Sequence, residues 1–249
     1  MYNYRLEGWS GRLCNNLIQL TDVIYLAKKE GGAFELKLQH SLIRNFNVRF
    51  NGPNPLPKKI YDKQFNNHEI SLKERREILR KYILPNCRLP ELVPMDVLVI
   101  HMRGGDIIQH NPTPHPLYVQ PPMSFYKRVI EDCPVKQIII ITETLSNPCA
   151  KVIASMYPNC KIQTSSVTND ITTFLRATYV CFNSIGTFGE TLALMSPNIK
   201  TAYIPEYTEL TNHDWNVDFK VNTYAIAHTY IQPGQWTSSN EQIALMLSS

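Results

Sequence analysis

From residue 96 onward, short continuous apolar runs alternate with amphipathic segments, and this alternation constrains the fold more than any other feature of the chain. "DVLVIH" (96–101), "VKQIIIIT" (135–142), "CKIQT" (160–164), "YVCFNS" (179–184) and "KTAYIPE" (200–206) read as strands, the last of them final. Between them lie "PPMSFYKRVIED", "NPCAKVIASMYP", "TNDITTFLRAT" and "TFGETLALMS", each with helical spacing. The first of these has its prolines before the first turn, where a helix accepts them. The longest strands lack a polar residue at every second position, so both of their faces are buried. Strands of that kind alternating with helices predict an α/β fold with a parallel sheet covered on both sides. The tail "SSNEQIALMLSS" begins a further helix.

The first part of the chain is less regular. "NNLIQLTDVIYLAKKEGG" predicts a helix with lysines in its last turn and glycines after it, and "AFELKL" a strand. Residues 51–68, rich in proline and asparagine, are expected to be largely loop. "SLKERREILRKYIL" predicts a helix opened by a capping box of Ser71 and Glu74. The prolines of "PNCRLPELVPMD" break the pattern and suggest a boundary near residue 95. Two domains follow, 1–95 and 96–249.

Composition narrows the function classes. With 25 basic and 21 acidic residues the net charge is +4, and the densest basic stretch, "KERREILRK", alternates with acids and apolars like a solvated helix face. A nucleic-acid partner is therefore not expected. No apolar run approaches the roughly 18 residues of a membrane span. The N-terminus lacks the apolar core of a secretory signal, which for a complete chain implies the cytoplasm. Six cysteines without a C-x-x-C pair fit neither a zinc ribbon nor a disulfide scaffold. Among His101, His110 and His115 the helical H-x-x-x-H spacing is absent, and prolines at 112, 114 and 116 forbid a helix there, so no metal site is expected.

In a parallel sheet all strand carboxyl ends share one edge, and ligands bind there. The first strand of the second half delivers His101, Arg103 and Asp106 with Gly104 and Gly105; the next delivers Thr142 and Glu143; the fourth delivers Asn183, Ser184, Gly186 and Thr187. Arginine offers a planar fork of donors that suits phosphate oxygens. The two glycines would let backbone approach a ligand. Ser184 and Thr187 stand before a helix, whose first amides attract anions. The alternatives are a tight turn closed by an Arg103–Asp106 ion pair, and simple helix capping by Ser184 or Thr187. "GRLCNN" (11–16) places Arg12, Asn15 and Asn16 before the first helix, with capping again the plainer reading. The sequence carries no Walker loop, dinucleotide fingerprint or nucleophile elbow.

Three stretches, in order, resemble the fucosyltransferase superfamily of alpha-1,2-fucosyltransferases and the related protein O- and alpha-1,6-fucosyltransferases. "GRLCNN" is similar to the family's G-R-x-G-N-Q, "HMRGGD" to its H-x-R-x-G-D, and "FNSIGTFGETLAL" to its S-x-S-T-F-x-x-x-A segment. The sequence departs from the pattern at Cys14 and Asn16, and has "GE" after Phe188 where tryptophans are common.

The resemblance implies a GT-B-like architecture, two Rossmann-like domains with mostly parallel sheets facing across a cleft. It implies a nucleotide diphosphate sugar donor, usually GDP-fucose, a glycan acceptor, and inverting transfer without metal or further cofactor. Arg103 would hold the diphosphate, with Asp106 and His101 completing the catalytic group. Ser184, Thr187 and Phe188 would line the phosphate and nucleoside site, while Arg12, Asn15 and Asn16 would approach the donor from the first domain. Gly104, Glu143 and Asp170 complete the expected donor site. The acceptor's base is sought among Asp106, Glu143, Glu190 and His115, with Asp106 first. A rhamnose or xylose nucleotide as donor, or a non-catalytic nucleotide- or glycan-binding module, remain the alternatives.

Overall fold

Tyr4 and Leu6, almost fully buried, alternate with more exposed Asn3 and Arg5 and make Tyr2–Leu6 (β1) a strand too short to read from its sequence. The computed structural model describes residues 2–50, 56–61, 70–111, 113, 116–183, 185–207 and 215–249. They form two units, Met1–Glu91 with Leu194–Pro197, and Leu92–Ala193 with Asn198–Ser249.

In the first unit β1 leads into α1 (Leu13–Lys29), followed by β2 (Ala33–Leu36), β3 (Phe46–Arg49), β4 (Leu56–Tyr61) and α2 (Leu72–Ile78). The sheet order is β3-β2-β1-β4, with β2 and β4 parallel to β1 and β3 antiparallel to β2. α1 ends as its sequence predicts. Lys28 and Lys29 meet the negative end of the helix dipole. Gly31, at φ +64°, turns the chain so that its amide reaches the Lys28 carbonyl and that of Gly32 the Ala27 carbonyl. The Ser71–Glu74 capping box is present, but the α-helix stops at Ile78 and continues as a π turn (Leu79–Ile83) and a 3-10 turn (Leu84–Asn86).

The expectation that residues 51–68 are largely loop is corrected by β4. Its Pro57 is tolerated because β4 is an edge strand and the register with β1 slips there, Tyr2 facing Leu56 but Tyr4 facing Lys59.

The second unit runs β5 (Met95–His101), α3 (Met123–Asp132), β6 (Ile138–Ile141), α4 (Pro148–Met156), β7 (Cys160–Gln163), α5 (Val167–Arg176), β8 (Ala177–Phe182), α6 (Thr187–Met195), β9 (Thr201–Glu206), β10 (Lys220–Ala225) and α7 (Asn240–Ser248). All pairings in its six-stranded sheet are parallel, in the order β10-β9-β8-β5-β6-β7. The α/β class with mostly parallel sheets is thus as the apolar runs predict. "KTAYIPE" is not the last strand, however. β10 pairs with it at the sheet edge, where "KVNTYA" buries only Tyr224 and so carries no apolar run to read.

From β5 the chain lays β6 and β7 to one side, returns, and lays β8, β9 and β10 to the other. The order reverses between β5 and β8, and a doubly wound sheet opens a crevice at such a point. Val97–Ile100 are buried on both faces of β5. Each such side chain contributes about 1.5–3 kcal/mol relative to an exposed one, so the strand is a rigid stem for whatever follows it.

Candidate active site at the carboxyl ends of β5, β6 and β8

The register aligns three strand ends: His101 stands beside Ile141 of β6 and Phe182 of β8. The turns leaving those strands therefore meet. Beyond His101 the chain passes through Arg103 and Gly104 into a short 3-10 turn, Gly105–Ile108.

Arg103 is held from several sides. Its guanidinium lies over the Tyr118 ring, 4.4 Å from the centroid, and Nη2 donates to Tyr118 Oη at 2.8 Å. The Asp106 carboxylate approaches the same nitrogen at only 3.4–3.5 Å, and its side chain is 50 % exposed against 25 % for Arg103. That distance makes Tyr118 the stronger partner. Among the described residues, Nε and Nη1 of Arg103 form no hydrogen bond. The ion pair weighed in the sequence is present, yet it leaves one edge of the fork available.

The support beneath Arg103 comes from residues outside its own turn. Buried Asn147 caps α4, its Oδ1 accepting from the Cys149 amide, while its Nδ2 donates to the Arg103 carbonyl at 3.1 Å and to Gln120 Oε1 at 3.4 Å. Asn183 at the end of β8 donates to the Val119 carbonyl, and Tyr230 Oη donates to that of Gln120. Tyr118–Gln120 is thus a strap pinned across the ends of β5, β6 and β8. The proline-rich stretch before it was the available signal, but which strand ends it crosses is a tertiary fact.

The two glycines lie against the turn that follows β6. A Cβ on Gly104 would come within 2.9 Å of Thr144 Oγ1 and 3.0 Å of the Thr144 carbonyl. Gly105, at φ +63°, gives its amide to Thr144 Oγ1 and Ser146 Oγ, and Glu143 lies beside it. Their missing side chains make room for the β6–α4 turn.

His101 stacks on Phe188 of α6, ring centroids 4.5 Å apart, and Phe188 meets Phe174 edge-on. Burial first, and then the charge of Arg103, push its pKa down to about 4. Near neutral pH it is an uncharged, weakly basic ring in an aromatic stack.

Thr187 and Phe188 open α6 beside this point, after Gly186 at φ +118°. A Cβ on Gly189 would fall 2.5 Å from Phe182, so glycine is what lets α6 close onto β8. Ser184 and His115 lie outside the described residues.

Asp170 is apart, beyond the end of β7, where its Oδ1 accepts from Gln163 Nε2 (2.7 Å) and Ser165 Oγ (2.8 Å) and so organises the β7–α5 turn. Arg12, Asn15 and Asn16 belong to the first unit. Arg12 is exposed at the N-cap of α1, and Asn15 packs under Gly11. Asn16 is buried, with Nδ2 donating to the Ser10 carbonyl and Oδ1 facing His40 Nε2. Gln19, unremarked in the sequence, shares this work by bonding the Gly8 carbonyl and the Ser10 amide. Asn16 therefore holds the β1–α1 turn.

No group of three or more histidine, cysteine, aspartate or glutamate side chains is placed to hold a metal ion among the described residues. No helix among them is long and apolar enough to cross a membrane.

No family model matches the sequence, and no curated protein does so either. Among solved structures, the chain is similar to E. coli heptosyltransferase WaaC with ADP, at 13 % identity over 60 % of this chain and 42 % of that one, with a TM-score of 0.33. For the same enzyme with ADP-2-deoxy-2-fluoro heptose the identity is 11 % over 72 % and 49 %, with a TM-score of 0.35. The chain thus spans less than half the length of these structures. Likeness of this extent assigns it neither family nor activity.

Proposed function

We propose that this protein is a glycosyltransferase that moves L-fucose from GDP-fucose to a glycan hydroxyl with inversion and without a metal ion. The observation that carries the reading is Arg103, a guanidinium fixed at the point where the strand order reverses, with donors to spare and the first turn of α6 beside it. The resemblance of "HMRGGD" and its two companion stretches to the fucosyltransferase motifs supplies the donor.

The chemistry suits these residues. As the bond from sugar to diphosphate breaks, the sugar gains oxocarbenium character and the leaving phosphate gains negative charge. Arg103 and the amides opening α6 stabilise that charge with little reorganisation, because Tyr118 and Asn147 already fix the arginine. A diphosphate so held needs no acid to leave. Asp106, half-exposed and only loosely paired with Arg103, takes the proton of the acceptor hydroxyl. Thr187 and Phe188 line the phosphate and nucleoside side, and neutral His101 supports Phe188 from beneath. Glu143 contributes a further polar contact to the donor.

Transfer from labelled GDP-fucose to a panel of glycans, in the presence of a chelator, tests this directly. Product with inverted configuration supports the reading. Tight binding of UDP or TDP with none of GDP would replace the donor. Donor binding without hydrolysis or transfer would leave a nucleotide-binding module.

A further inference from the structure

A cleft of about 640 Å³ opens on the first unit, lined by Gln39, His40, Ser41, Asn45 and Arg88. It lies where the chain leaves the carboxyl end of β2, the edge at which open α/β sheets bind ligands. The turn leaving β1 is tied to it. Trp9 Nε1 donates to the Gln39 carbonyl at 2.9 Å, its ring meets that of His40 edge-on at 4.7 Å, and His40 Nε2 faces Asn16 Oδ1 at 3.4 Å.

Arg88 is exposed, yet it is not a loose surface arginine. Its Nη1 donates to the carbonyls of His40 (2.6 Å), Ser41 (3.2 Å) and Ile43 (3.2 Å). So long a side chain loses rotamer freedom when a ligand fixes it; here its own carbonyl bonds already hold it. Among the described residues no carboxylate pairs with Arg88, and Nη2 and Nε make no hydrogen bond.

The histidine beside it does not compete as a cation. His40 Nδ1 accepts from the amides of Leu42 and Ile43, which leaves the ring proton on Nε2. Burial, and then the Arg88 charge, lower its pKa and keep it neutral. Arg88 is therefore the one charged side chain among those lining the cleft, and the others are amide, hydroxyl and imidazole groups suited to sugar hydroxyls.

We propose that this cleft is an acceptor subsite for an acidic saccharide, whose carboxylate or phosphate pairs with the open edge of Arg88 while its hydroxyls meet Gln39, Ser41 and Asn45. The word acceptor rests on the glycosyl-transfer reading; binding of the anionic saccharide does not.

The test is titration of the isotopically labelled full chain, followed by amide chemical shifts. The probes are a glucuronate-terminated disaccharide, a disaccharide phosphate, a neutral disaccharide and inorganic phosphate. Shifts centred on Gln39–Asn45 and Arg88 are expected for at least one acidic saccharide, with binding at least about tenfold tighter than for the neutral one. The acid that binds tighter identifies the anion. Arg88→Gln is expected to abolish that preference. Asn45→Ala leaves the arginine's carbonyl bonds intact and is expected to weaken acidic and neutral saccharides alike by severalfold.

Equal binding of the neutral disaccharide, shifts confined to other regions, or inorganic phosphate binding as tightly as the disaccharide phosphate would each overturn the proposal. Cleft shifts without any transfer from GDP-fucose would sink the enzymatic reading and leave the site standing. Transfer without cleft shifts would do the reverse.

Discussion

Two turns in this molecule are built from the same ingredients, and they use them in opposite ways. The β1–α1 turn and the turn after β5 each leave the carboxyl end of a parallel strand with glycine and arginine. In the first, the polar side chains are occupied by their own backbone: Asn16 bonds Ser10, Gln19 bonds Gly8 and Ser10, and Arg12 is left exposed at the helix cap. In the second, the supporting groups come from elsewhere in the chain. Tyr118, Asn147 and the hydroxyls of Thr144 and Ser146 hold the turn, and among the described residues Nε and Nη1 of Arg103 make no hydrogen bond. An arginine becomes a clamp when other residues do the structural work.

The contrast between the capping turn and the turn after β5 breaks first at Arg103. Arg103→Ala is expected to lower transfer by roughly 100- to 1000-fold while melting is little changed. Arg12→Ala, its counterpart, should cost far less. Similar losses from both would erase the distinction drawn between the turns.

Asp106→Asn is the next largest, with kcat down about 100-fold and donor KM nearly unchanged if the carboxylate is the base. A rise in donor KM with kcat preserved would instead make Asp106 the partner that orients Arg103.

Tyr118→Phe keeps the ring beneath the guanidinium and removes one hydrogen bond to a charge, so about a tenfold weaker donor interaction is expected. No change in donor KM or kcat would show that the stacked ring alone positions the arginine.

The smallest effect is one of stability. His101 has a folded-state pKa near 4, below its ordinary 6.5. The unfolded chain therefore binds the extra proton first. The contribution is complete above about pH 6.5 and is lost as pH falls towards 4, on the order of 1–3 kcal/mol. His101→Phe should flatten the loss of melting temperature between pH 7 and pH 4.5. An unchanged slope would mean the ring is not held neutral by its surroundings.

Much of the second unit is legible in sequence, because strands buried on both faces must be written as apolar runs such as Val97–Ile100 and Ile138–Ile141. The edge strands β4 and β10 are not, since an edge tolerates Pro57 and the polar face of "KVNTYA". The site divides along the same line. His101, Arg103 and Asp106 are adjacent in sequence and are brought out on one stem, and Phe188 meets His101 across the neighbouring strand end. Tyr118, Asn147 and Asn183 escaped notice as supports because their partners lie 15, 44 and 64 residues away. The packing that requires glycine at 104 is not legible for a related reason: the atoms over it belong to Thr144, on the turn after another strand.

The central claim is that Arg103 is a diphosphate clamp. Calorimetric titration of GDP into the wild-type protein and into Arg103→Ala, each checked for an unchanged melting transition, measures it most directly. The account predicts saturable binding by the wild type and at least about 100-fold weaker binding by the variant. Equal affinity in the two folded proteins would contradict it.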